Sequence, residues 1–275
     1  MKMTLQTRVK LNNGVEIPVL GLGVWQAGPG AETRDAVKSA LEIGYRHIDT
    51  AMAYKNEKDV GRAVRESGIP RGEIFITTKL WNADHGYDKA LRAFQASLDN
   101  LGMDYIDLYL IHWPVQGLRG ETWKALTTLC KDGRCCGVGV SNFTVRHLRE
   151  LLDSSPVTPA IDQVEFSPFL YQKDLLDFCV SRGIRLEAYS PLTRGAKFKD
   201  PAIAAMSAKY DKTPAQILIR WALEHELVVI PKSVHPERIR ENAGVFDFSF
   251  TPEDMRILDG LNENFRKCWD PTNVE

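Results

Sequence analysis

The chain has 275 residues, a length that one α/β barrel can occupy, and we expect residues 1–275 to form a single domain. A hydrophobic content of 44% and a charged content of 26% are typical of a globular protein. The net charge of −1 and the lack of a basic run argue against nucleic acid or an anionic membrane surface as a partner.

The start of the chain and its cysteines bear on where the protein works. No apolar stretch approaches the ~20 residues of a membrane-spanning helix, and Met1–Leu5 lacks the apolar core of a secretion signal. The five cysteines are an odd number, Cys135 and Cys136 are adjacent, and no pair has the spacing of a zinc site. We therefore expect a cytoplasmic protein with reduced cysteines and no metal.

The predicted elements begin with a hairpin, whose strands Arg8–Leu11 and Val15–Pro18 flank an Asn12-Asn13-Gly14 turn. After it, short β-type runs alternate with amphipathic helical patterns. The predicted strands are Val19–Leu22, Arg46–Asp49, Ile74–Lys79, Ile106–Ile111, Cys136–Val140, Ile161–Glu165, Arg185–Tyr189 and Leu227–Ile230. The predicted helices are Glu32–Ile43, Glu57–Glu66, Tyr87–Leu101, Gly120–Lys131, Thr144–Leu152, Gln172–Arg182, Thr213–Glu224, Glu237–Ala243 and, last, Pro252–Leu261.

This alternation predicts a parallel sheet with right-handed crossovers, and eight strand–helix units match a closed (β/α)8 TIM barrel. An open, doubly wound sheet is the rival interpretation. Its dinucleotide-binding form carries three glycines after the first strand, whereas Gly21-Leu22-Gly23-Val24-Trp25-Gln26 lacks the third. We expect the hairpin to plug the amino-terminal end of the barrel and the last helix to be an addition to it.

The run Ile106–Ile111 is largely apolar and leads directly into His112, Trp113 and Pro114. Such a run is typical of a strand covered on both faces, and the proline ends it. His112 then lies at the carboxyl end of the strand, where barrel enzymes place their chemistry. A core histidine that merely closes the strand is the alternative.

Polar residues close every predicted strand from the second to the eighth, and in a parallel barrel these ends meet at one mouth. They are Asp49, Lys79, His112, Ser141 with Asn142, Gln163 with Glu165, Tyr189 with Ser190, and Lys232 with Ser233. A buried Lys79 needs a partner, and Asp49 on the neighbouring strand is available. A purely structural ion pair is one interpretation of these two residues.

The same pair can serve catalysis together with Tyr54, which follows Asp49 closely in the chain. Tyrosine has an ordinary pKa of about 10, which an adjacent Lys79 ammonium would lower by stabilising the phenolate. Asp49 would hold the lysine charged, and His112 would orient a substrate oxygen toward Tyr54. Such a group protonates a carbonyl that is being reduced, and the hydride for that reduction implies a nicotinamide cofactor.

Four segments resemble signatures of the aldo-keto reductase family, in register from about Val9 to Asn262. They are Gly44-Tyr45-Arg46-His47-Ile48-Asp49-Thr50-Ala51, Leu108-Tyr109-Leu110-Ile111-His112-Trp113-Pro114, Gly139-Val140-Ser141-Asn142-Phe143 and Ile230-Pro231-Lys232-Ser233. The resemblance implies a barrel that binds NADPH without a Rossmann domain. It also implies a tetrad of Asp49, Tyr54, Lys79 and His112, with Tyr54 as general acid.

Two short segments resemble one branch of that family. The connection from Pro114 to Gly120 is brief, and the chain ends soon after Trp269. Short versions of these segments resemble the microbial branch that includes diketogluconate reductases and prostaglandin F synthases, and they imply an open substrate pocket.

Cofactor contacts are also implied by the resemblance. Ser141, Asn142 and Gln163 correspond to residues that hydrogen-bond the nicotinamide carboxamide. Tyr189 corresponds to the aromatic residue that stacks on the nicotinamide ring, with simple packing as the alternative. The remaining implied contacts are Gly23, Val24, Trp25, Ser190, Leu192, Lys232, Ser233, Val234, Arg238, Glu241 and Asn242.

The phosphate end of that set decides the expected cofactor. Lys232, Ser233 and Arg238 resemble a 2′-phosphate site, and Glu241 with Asn242 the adenine site. Phosphate often binds after the eighth strand of a barrel, and two cations suit a dianion better than a ribose hydroxyl. We therefore expect NADPH rather than NADH, with a solvated basic helix start as the alternative.

Aromatic residues near the strand ends are candidates for the substrate pocket. With the family register, the walls would be Trp25, Trp81, Trp113 and Tyr87, although loop packing is the common role of such residues.

Two residues and one segment depart from the pattern described so far. Asp162 stands where many relatives have Asn, and we expect it to alter the floor of the nicotinamide site. Ser167 stands where many relatives have His. The segment Leu192–Asp200 carries three basic residues and is either a mobile flap over the cofactor or solvated charge.

The expected function is NADPH-dependent reduction of aldehydes and ketones by a monomer, with a small carbonyl compound as substrate. The alternative is a cofactor-sensing regulatory barrel with little turnover, which a long amino-terminal extension or an insert would favour. A metal-dependent hydrolase would need clustered histidine and carboxylate ligands, whereas only His112 closes a predicted strand.

Overall fold

The computed structural model describes residues 3–274. Its strands are β1 (Arg8–Lys10), β2 (Glu16–Pro18), β3 (Leu22–Gly23), β4 (His47–Asp49), β5 (Phe75–Leu80), β6 (Ile106–Ile111), β7 (Cys135–Ser141), β8 (Ile161–Glu165), β9 (Arg185–Tyr189) and β10 (Val228–Ile230). Its helices are α1 (Ala31–Ile43), α2 (Glu57–Glu66), α3 (Tyr87–Leu101), α4 (Arg119–Lys131), α5 (Val145–Ser154), α6 (Lys173–Ser181), α7 (Pro201–Tyr210), α8 (Pro214–Glu224), α9 (Pro236–Ala243) and α10 (Pro252–Asp259).

The strands β3 to β10 are parallel, and each is hydrogen-bonded to the next in chain order. The ring closes between its first and last strands, where Gly21 N donates to Val229 O at 2.9 Å and Gly23 N to Pro231 O at 3.2 Å. Gly23 permits this close approach, because a Cβ there would lie 3.0 Å from Ile230 O. The predicted (β/α)8 barrel is confirmed, and the open-sheet alternative is wrong.

Burial of both strand faces explains the apolar runs in the sequence. Along β6, the fully buried Leu108 and Leu110 belong to the cluster inside the barrel, while Tyr109 and Ile111 pack against the helix layer. Alternate side chains of a strand point to opposite faces, so a strand enclosed on both sides cannot show a polar face. Polar residues therefore collect at the strand ends.

The predicted hairpin closes the amino-terminal end of the barrel. The strands β1 and β2 pair in antiparallel fashion, and Ile17 is fully buried in the interior cluster beside Phe75 and Val228, which begin their own strands. Two turn residues hold the hairpin in place, since the Nδ2 atoms of Asn12 and Asn13 donate to Pro159 O at 2.8 Å and Cys136 O at 3.1 Å.

One helix, α7, was not predicted from the sequence. The helix α7 lies between β9 and α8, begins at a proline, and is capped by the Asp200 carboxylate, which accepts from Ala202 N at 2.9 Å. Only Ile203 and Met206 are buried on it, so no apolar stripe was available to reveal it. The additional helix α10 is present, as expected. None of the helices within residues 3–274 combines the length and apolar character needed to span a membrane.

The segment after α10 returns to the mouth of the barrel. The Glu165 carboxylate at the end of β8 accepts from the backbone N–H groups of Lys267 at 2.7 Å and Cys268 at 2.9 Å. These bonds place Trp269 beside the strand ends, where its ring centroid lies 5.6 Å from that of Trp113.

Candidate active site

Three of the four predicted tetrad residues are joined by hydrogen bonds at the strand ends. Lys79 near the end of β5 is fully buried, and its Nζ donates to the two carboxylate oxygens of Asp49 at 2.7 and 2.8 Å and to Thr50 O at 2.8 Å. The hydroxyl of Tyr54, at the end of a short helical turn after β4, lies 3.4 Å from the same Nζ.

The electrostatics of Tyr54 differ from the sequence-based expectation. Burial raises the pKa of Tyr54 well above its ordinary value, and the negative charge of Asp49 acts in the same direction. The expected lowering of this pKa by Lys79 is wrong, because burial disfavours the charged phenolate and the carboxylate of Asp49 adds to that effect. Tyr54 is therefore a neutral phenol at physiological pH, with its proton available.

His112 lies beside this cluster as a neutral imidazole. Burial lowers its pKa well below the ordinary value, and the charge of Lys79 adds to the effect. Its ring packs edge-on against Tyr54 and Trp81, with centroids 5.6 and 5.3 Å apart. Within the described chain, His112 Nδ1 has no hydrogen-bond partner. A neutral imidazole can donate one N–H to a substrate oxygen.

The predicted nicotinamide contacts form a second hydrogen-bonded group on the adjoining strands. Asn142 Nδ2 donates to His112 O at 3.0 Å and to Ser141 Oγ at 3.1 Å, while Ser141 Oγ donates to Gln163 O at 2.8 Å. The Tyr189 hydroxyl donates to Asn142 Oδ1 at 2.7 Å, which holds the half-buried ring at the end of β9. These four side chains therefore lie beside His112, as the barrel topology requires.

Below these residues lies a buried polar layer that the sequence analysis did not identify. Glu187 Oε2 accepts from Gln163 Nε2 at 2.8 Å, and Glu187 Oε1 lies 3.7 Å from His47 Nε2. His47 Nε2 also lies 3.1 Å from Thr77 Oγ1. The sequence did contain one signal for this layer. Glu187 is an ionisable residue in the middle of a buried strand, and it points to the same face of that strand as Tyr189.

Both ionisable groups of this layer are neutral near pH 7. Burial raises the pKa of Glu187 to about 8, and the charge of Asp49 adds to this effect. Burial lowers the pKa of His47 to about 3, with contributions from Lys79 and Arg8. The interior thus carries the balanced Asp49–Lys79 pair and no further net charge from these two groups.

Glu187 makes the stability of the protein depend on pH. Its pKa in the folded state, about 8, is higher than the ordinary glutamate pKa of about 4.3 in an unfolded chain. The folded state therefore keeps a proton that the unfolded state releases, and this stability is lost as pH rises through about 8. Between about pH 6 and about pH 9 we expect the free energy of unfolding to fall by about 3 kcal/mol more in the wild type than in Glu187→Gln.

Urea denaturation of both proteins at the two pH values measures this difference. Because all other titrating groups are shared, the comparison isolates Glu187. Equal pH dependence of the two proteins would contradict the prediction.

The predicted phosphate and adenine contacts lie around the start of α9. Lys232 and Arg238 are exposed, and Ser233 is buried with its Oγ accepting from His235 N at 3.1 Å. Glu241 Oε1 accepts from Thr213 Oγ1 at 2.6 Å, and Asn242 is buried beside it on the same helix. The two cations therefore share one surface with the end of β10.

The remaining predicted cofactor contacts outside the strands lie on the loops after β3, β9 and β10. Val24 is buried, and its N–H donates to Asp49 O at 3.0 Å. Ser190 has a positive φ of 49°, which is uncommon for a residue with a side chain. Leu192 and Val234 are half-buried.

The segment Leu192–Asp200 is tied to the rest of the mouth by its basic side chains. The Arg194 guanidinium lies 4.6 Å from the ring centroid of Trp25, and it donates to Cys268 Sγ at 3.2 Å. Lys197 forms an ion pair with Glu263 and lies over the ring of Phe169. The expectation of simply solvated charge is wrong for these two residues, while the mobility of the segment stays a prediction.

Aromatic side chains surround the opening above the tetrad. Trp25, Trp81 and Trp113 are half-buried, and Trp269 packs at a tilt against Trp113 with 68% of its surface exposed. Sequence reasoning missed Trp269, because only the fold of the tail brings it to the mouth.

Tyr87 and Asp162 have contacts that differ from those expected. The Tyr87 hydroxyl lies 3.3 Å from Thr128 Oγ1 in the helix layer, so its contacts give no support for a place in the pocket. Asp162 points away from the barrel interior, because it precedes the inward Gln163 on β8. It accepts from Phe143 N at 3.4 Å, and burial raises its pKa well above the ordinary value. The direction of the Asp162 side chain therefore gives no support for an effect on the nicotinamide floor, which stays a prediction.

Comparison with known proteins gives consistent matches across the chain. The model of the aldo/keto reductase family matches residues 19–263. A glyoxal reductase of Bacillus subtilis (strain 168) is 49% identical over 266 residues, which cover 97% of this chain and 96% of that protein. This similarity agrees with the predicted resemblance to the microbial branch.

Two solved structures are also similar to this chain. An aldo-keto reductase from a Medee basin deep-sea metagenome library has a TM-score of 0.94 at 47% identity, with 98% of this chain and 100% of that chain covered. An aldo-keto reductase of Bombyx mori in complex with NADP has a TM-score of 0.89 at 38% identity, with 94% of each chain covered.

Proposed function

The chain belongs to the aldo/keto reductase family of nicotinamide-dependent oxidoreductases, and from this premise we propose that it uses NADPH to reduce aldehydes and ketones to alcohols. The observation that carries the proposal is the placement of Lys79 Nζ, paired with Asp49 at 2.7 Å and lying 3.4 Å from the Tyr54 hydroxyl. This arrangement can deliver a proton to a carbonyl oxygen at the mouth of the barrel and stabilise the phenolate that remains.

The roles of the four residues follow from their protonation states. When bound, the cofactor supplies a hydride to the carbonyl carbon. Tyr54 donates its proton to the developing alkoxide, which is a stronger base than a phenolate, so a high phenol pKa does not prevent this transfer. Lys79 stabilises the resulting phenolate, while Asp49 keeps Lys79 charged. His112 donates an N–H to the substrate oxygen and directs it toward Tyr54.

The donor set of the chain suits a nicotinamide nucleotide. Ser141, Asn142 and Gln163 offer hydrogen-bonding groups for the carboxamide, and the half-buried ring of Tyr189 offers a stacking surface. The exposed Lys232 and Arg238 would hold the 2′-phosphate.

Oxidation of NADPH in the presence of a reactive aldehyde, such as 4-nitrobenzaldehyde, tests the proposed activity. We expect the absorbance of the reduced nicotinamide to fall with one molecule of alcohol formed per molecule of NADPH consumed. A panel of aldehydes, keto-sugars and dicarbonyls then defines the substrate class, and dicarbonyls deserve inclusion because a relative is named a glyoxal reductase. Absence of turnover across this panel with both NADPH and NADH would refute the proposal.

Arg238→Ala is expected to raise the KM for NADPH by about tenfold and to leave the KM for NADH unchanged, because a charge-assisted bond to phosphate contributes about 1.5–3 kcal/mol. The matched control is Arg240→Ala, which removes another exposed arginine of α9. Steady-state kinetics with both cofactors measure the effect. Comparable KM values for NADPH and NADH in the wild type, unchanged by Arg238→Ala, would exclude the assigned phosphate site.

A further inference from the structure

Glu187 is a buried carboxyl group that the proposed reaction does not use. It lies in the middle of β9, is fully buried, and points into the barrel below the tetrad. Its one hydrogen bond within the described chain is accepted from Gln163 Nε2 at 2.8 Å. The same nitrogen donates its second hydrogen to Asp49 Oδ2 at 2.8 Å.

These two bonds determine the orientation of the Gln163 amide. A primary amide with one acceptor can direct either of its N–H groups to that acceptor, and its oxygen can then point in two directions. Two acceptors use both N–H groups, so the direction of Oε1 is determined. Asp49 is itself held by Lys79, and Glu187 supplies the second acceptor.

The Gln163 amide oxygen is the side-chain acceptor of the predicted nicotinamide site that the described chain leaves without a donor. Asn142 Oδ1 accepts from the Tyr189 hydroxyl, and Ser141 Oγ accepts from Asn142 Nδ2. Gln163 Oε1 has no hydrogen-bond partner within residues 3–274. An acceptor at this position pairs with the NH2 of a carboxamide and not with its oxygen.

We infer that Glu187 is a positioning residue that holds the Gln163 amide with its oxygen toward the nicotinamide carboxamide. Glu187 therefore acts through Gln163 to select one orientation of the nicotinamide end of the cofactor. This inference rests on the proposed use of a nicotinamide cofactor. It assigns to the polar layer below the tetrad a role in cofactor binding.

The surroundings of Glu187 provide a matched control. Thr77 is a fully buried residue of β5 whose Oγ1 lies 3.1 Å from His47 Nε2 and which makes no side-chain hydrogen bond to Gln163. Thr77→Val removes a buried hydrogen bond of the same layer with little change of volume. It separates a general effect of disturbing this layer from a specific effect on the Gln163 amide.

Isothermal titration of NADP+ and of 2′,5′-ADP, which lacks the nicotinamide, tests the inference without turnover. Glu187→Met is expected to raise the Kd for NADP+ about tenfold and to leave the Kd for 2′,5′-ADP unchanged, which corresponds to losing one good hydrogen bond. Glu187→Gln retains an acceptor oxygen for Gln163 and is expected to bind NADP+ like the wild type. Thr77→Val is expected to change neither constant.

Three results would overturn the inference: unchanged NADP+ affinity in Glu187→Met, equal weakening of both ligands, or equal weakening by Glu187→Gln and Glu187→Met. If Glu187→Met does not fold, Glu187→Asp, which withdraws the carboxylate from Gln163, takes its place with the same expected pattern. The proposed function fails separately, when the wild type binds nucleotide but turns over no carbonyl compound. A wild type that does not bind NADP+ would refute both.

Discussion

Tyr54→Phe is expected to lower kcat by about 1000-fold while the Kd for NADPH stays unchanged, because only the hydroxyl that protonates the carbonyl oxygen is lost. The ring remains, so its edge-on packing against His112 is preserved. Lys79 and Asp49 keep their own bonds, and the stability of the fold should change little. Steady-state kinetics with a reactive aldehyde and a fluorescence titration of NADPH measure the two quantities.

Tyr105→Phe is the matched control for this prediction. It makes the same chemical change at a tyrosine that precedes β6, at the opposite end of the barrel, where the Arg71 guanidinium lies over its ring. Wild-type kcat is expected for this variant. A fully active Tyr54→Phe enzyme would assign the proton transfer to another group.

Lys79→Met is expected to cost about 3–5 kcal/mol of stability and at least about 100-fold in kcat. The loss of stability arises because Asp49 would remain buried with its charge unpaired. The loss of activity arises because no cation would remain beside the phenolate of Tyr54. Urea denaturation and steady-state kinetics measure the two effects on the same preparation.

The double variant Lys79→Met/Asp49→Asn separates the structural and catalytic interpretations of this ion pair. Removing both charges eliminates the unpaired carboxylate, so most of the lost stability should return. The activity should not return, because the cation near Tyr54 is still missing. Recovery of both properties together would favour a purely structural pair, which was one interpretation of the sequence.

Much of the site could be predicted because the strands are short and each ends in a polar residue. Asp49, Lys79 and His112 were expected to meet from their positions at the carboxyl ends of adjacent strands, and the structure places them together. The barrel followed from the alternation of buried runs and helices, and the hairpin from its Asn-Gly turn. The family followed from the resemblance of four segments to its signatures.

The expectations that were wrong or gained no support all depend on three-dimensional surroundings. The raised pKa of Tyr54 depends on how much water burial excludes and on how close the charge of Asp49 lies. The outward direction of Asp162 depends on the parity of β8, and the helix-layer contacts of Tyr87 depend on how α3 packs on α4. Residue type and spacing in the sequence do not give the burial, the side-chain direction or the helix packing on which these outcomes depend.

The sequence by itself determined the order of the elements, the closed barrel and the residues at the strand ends, because burial on both strand faces leaves the ends as the main places for polar residues. Glu187, in the middle of β9, is an exception. Only the tertiary structure decided which of these residues share protons and charge. It joined Gln163 to both Asp49 and Glu187, and it brought Trp269 back to the mouth through the bonds of Glu165. Such contacts join strands and segments far apart in the chain, and they depend on distances that arise only when the barrel closes.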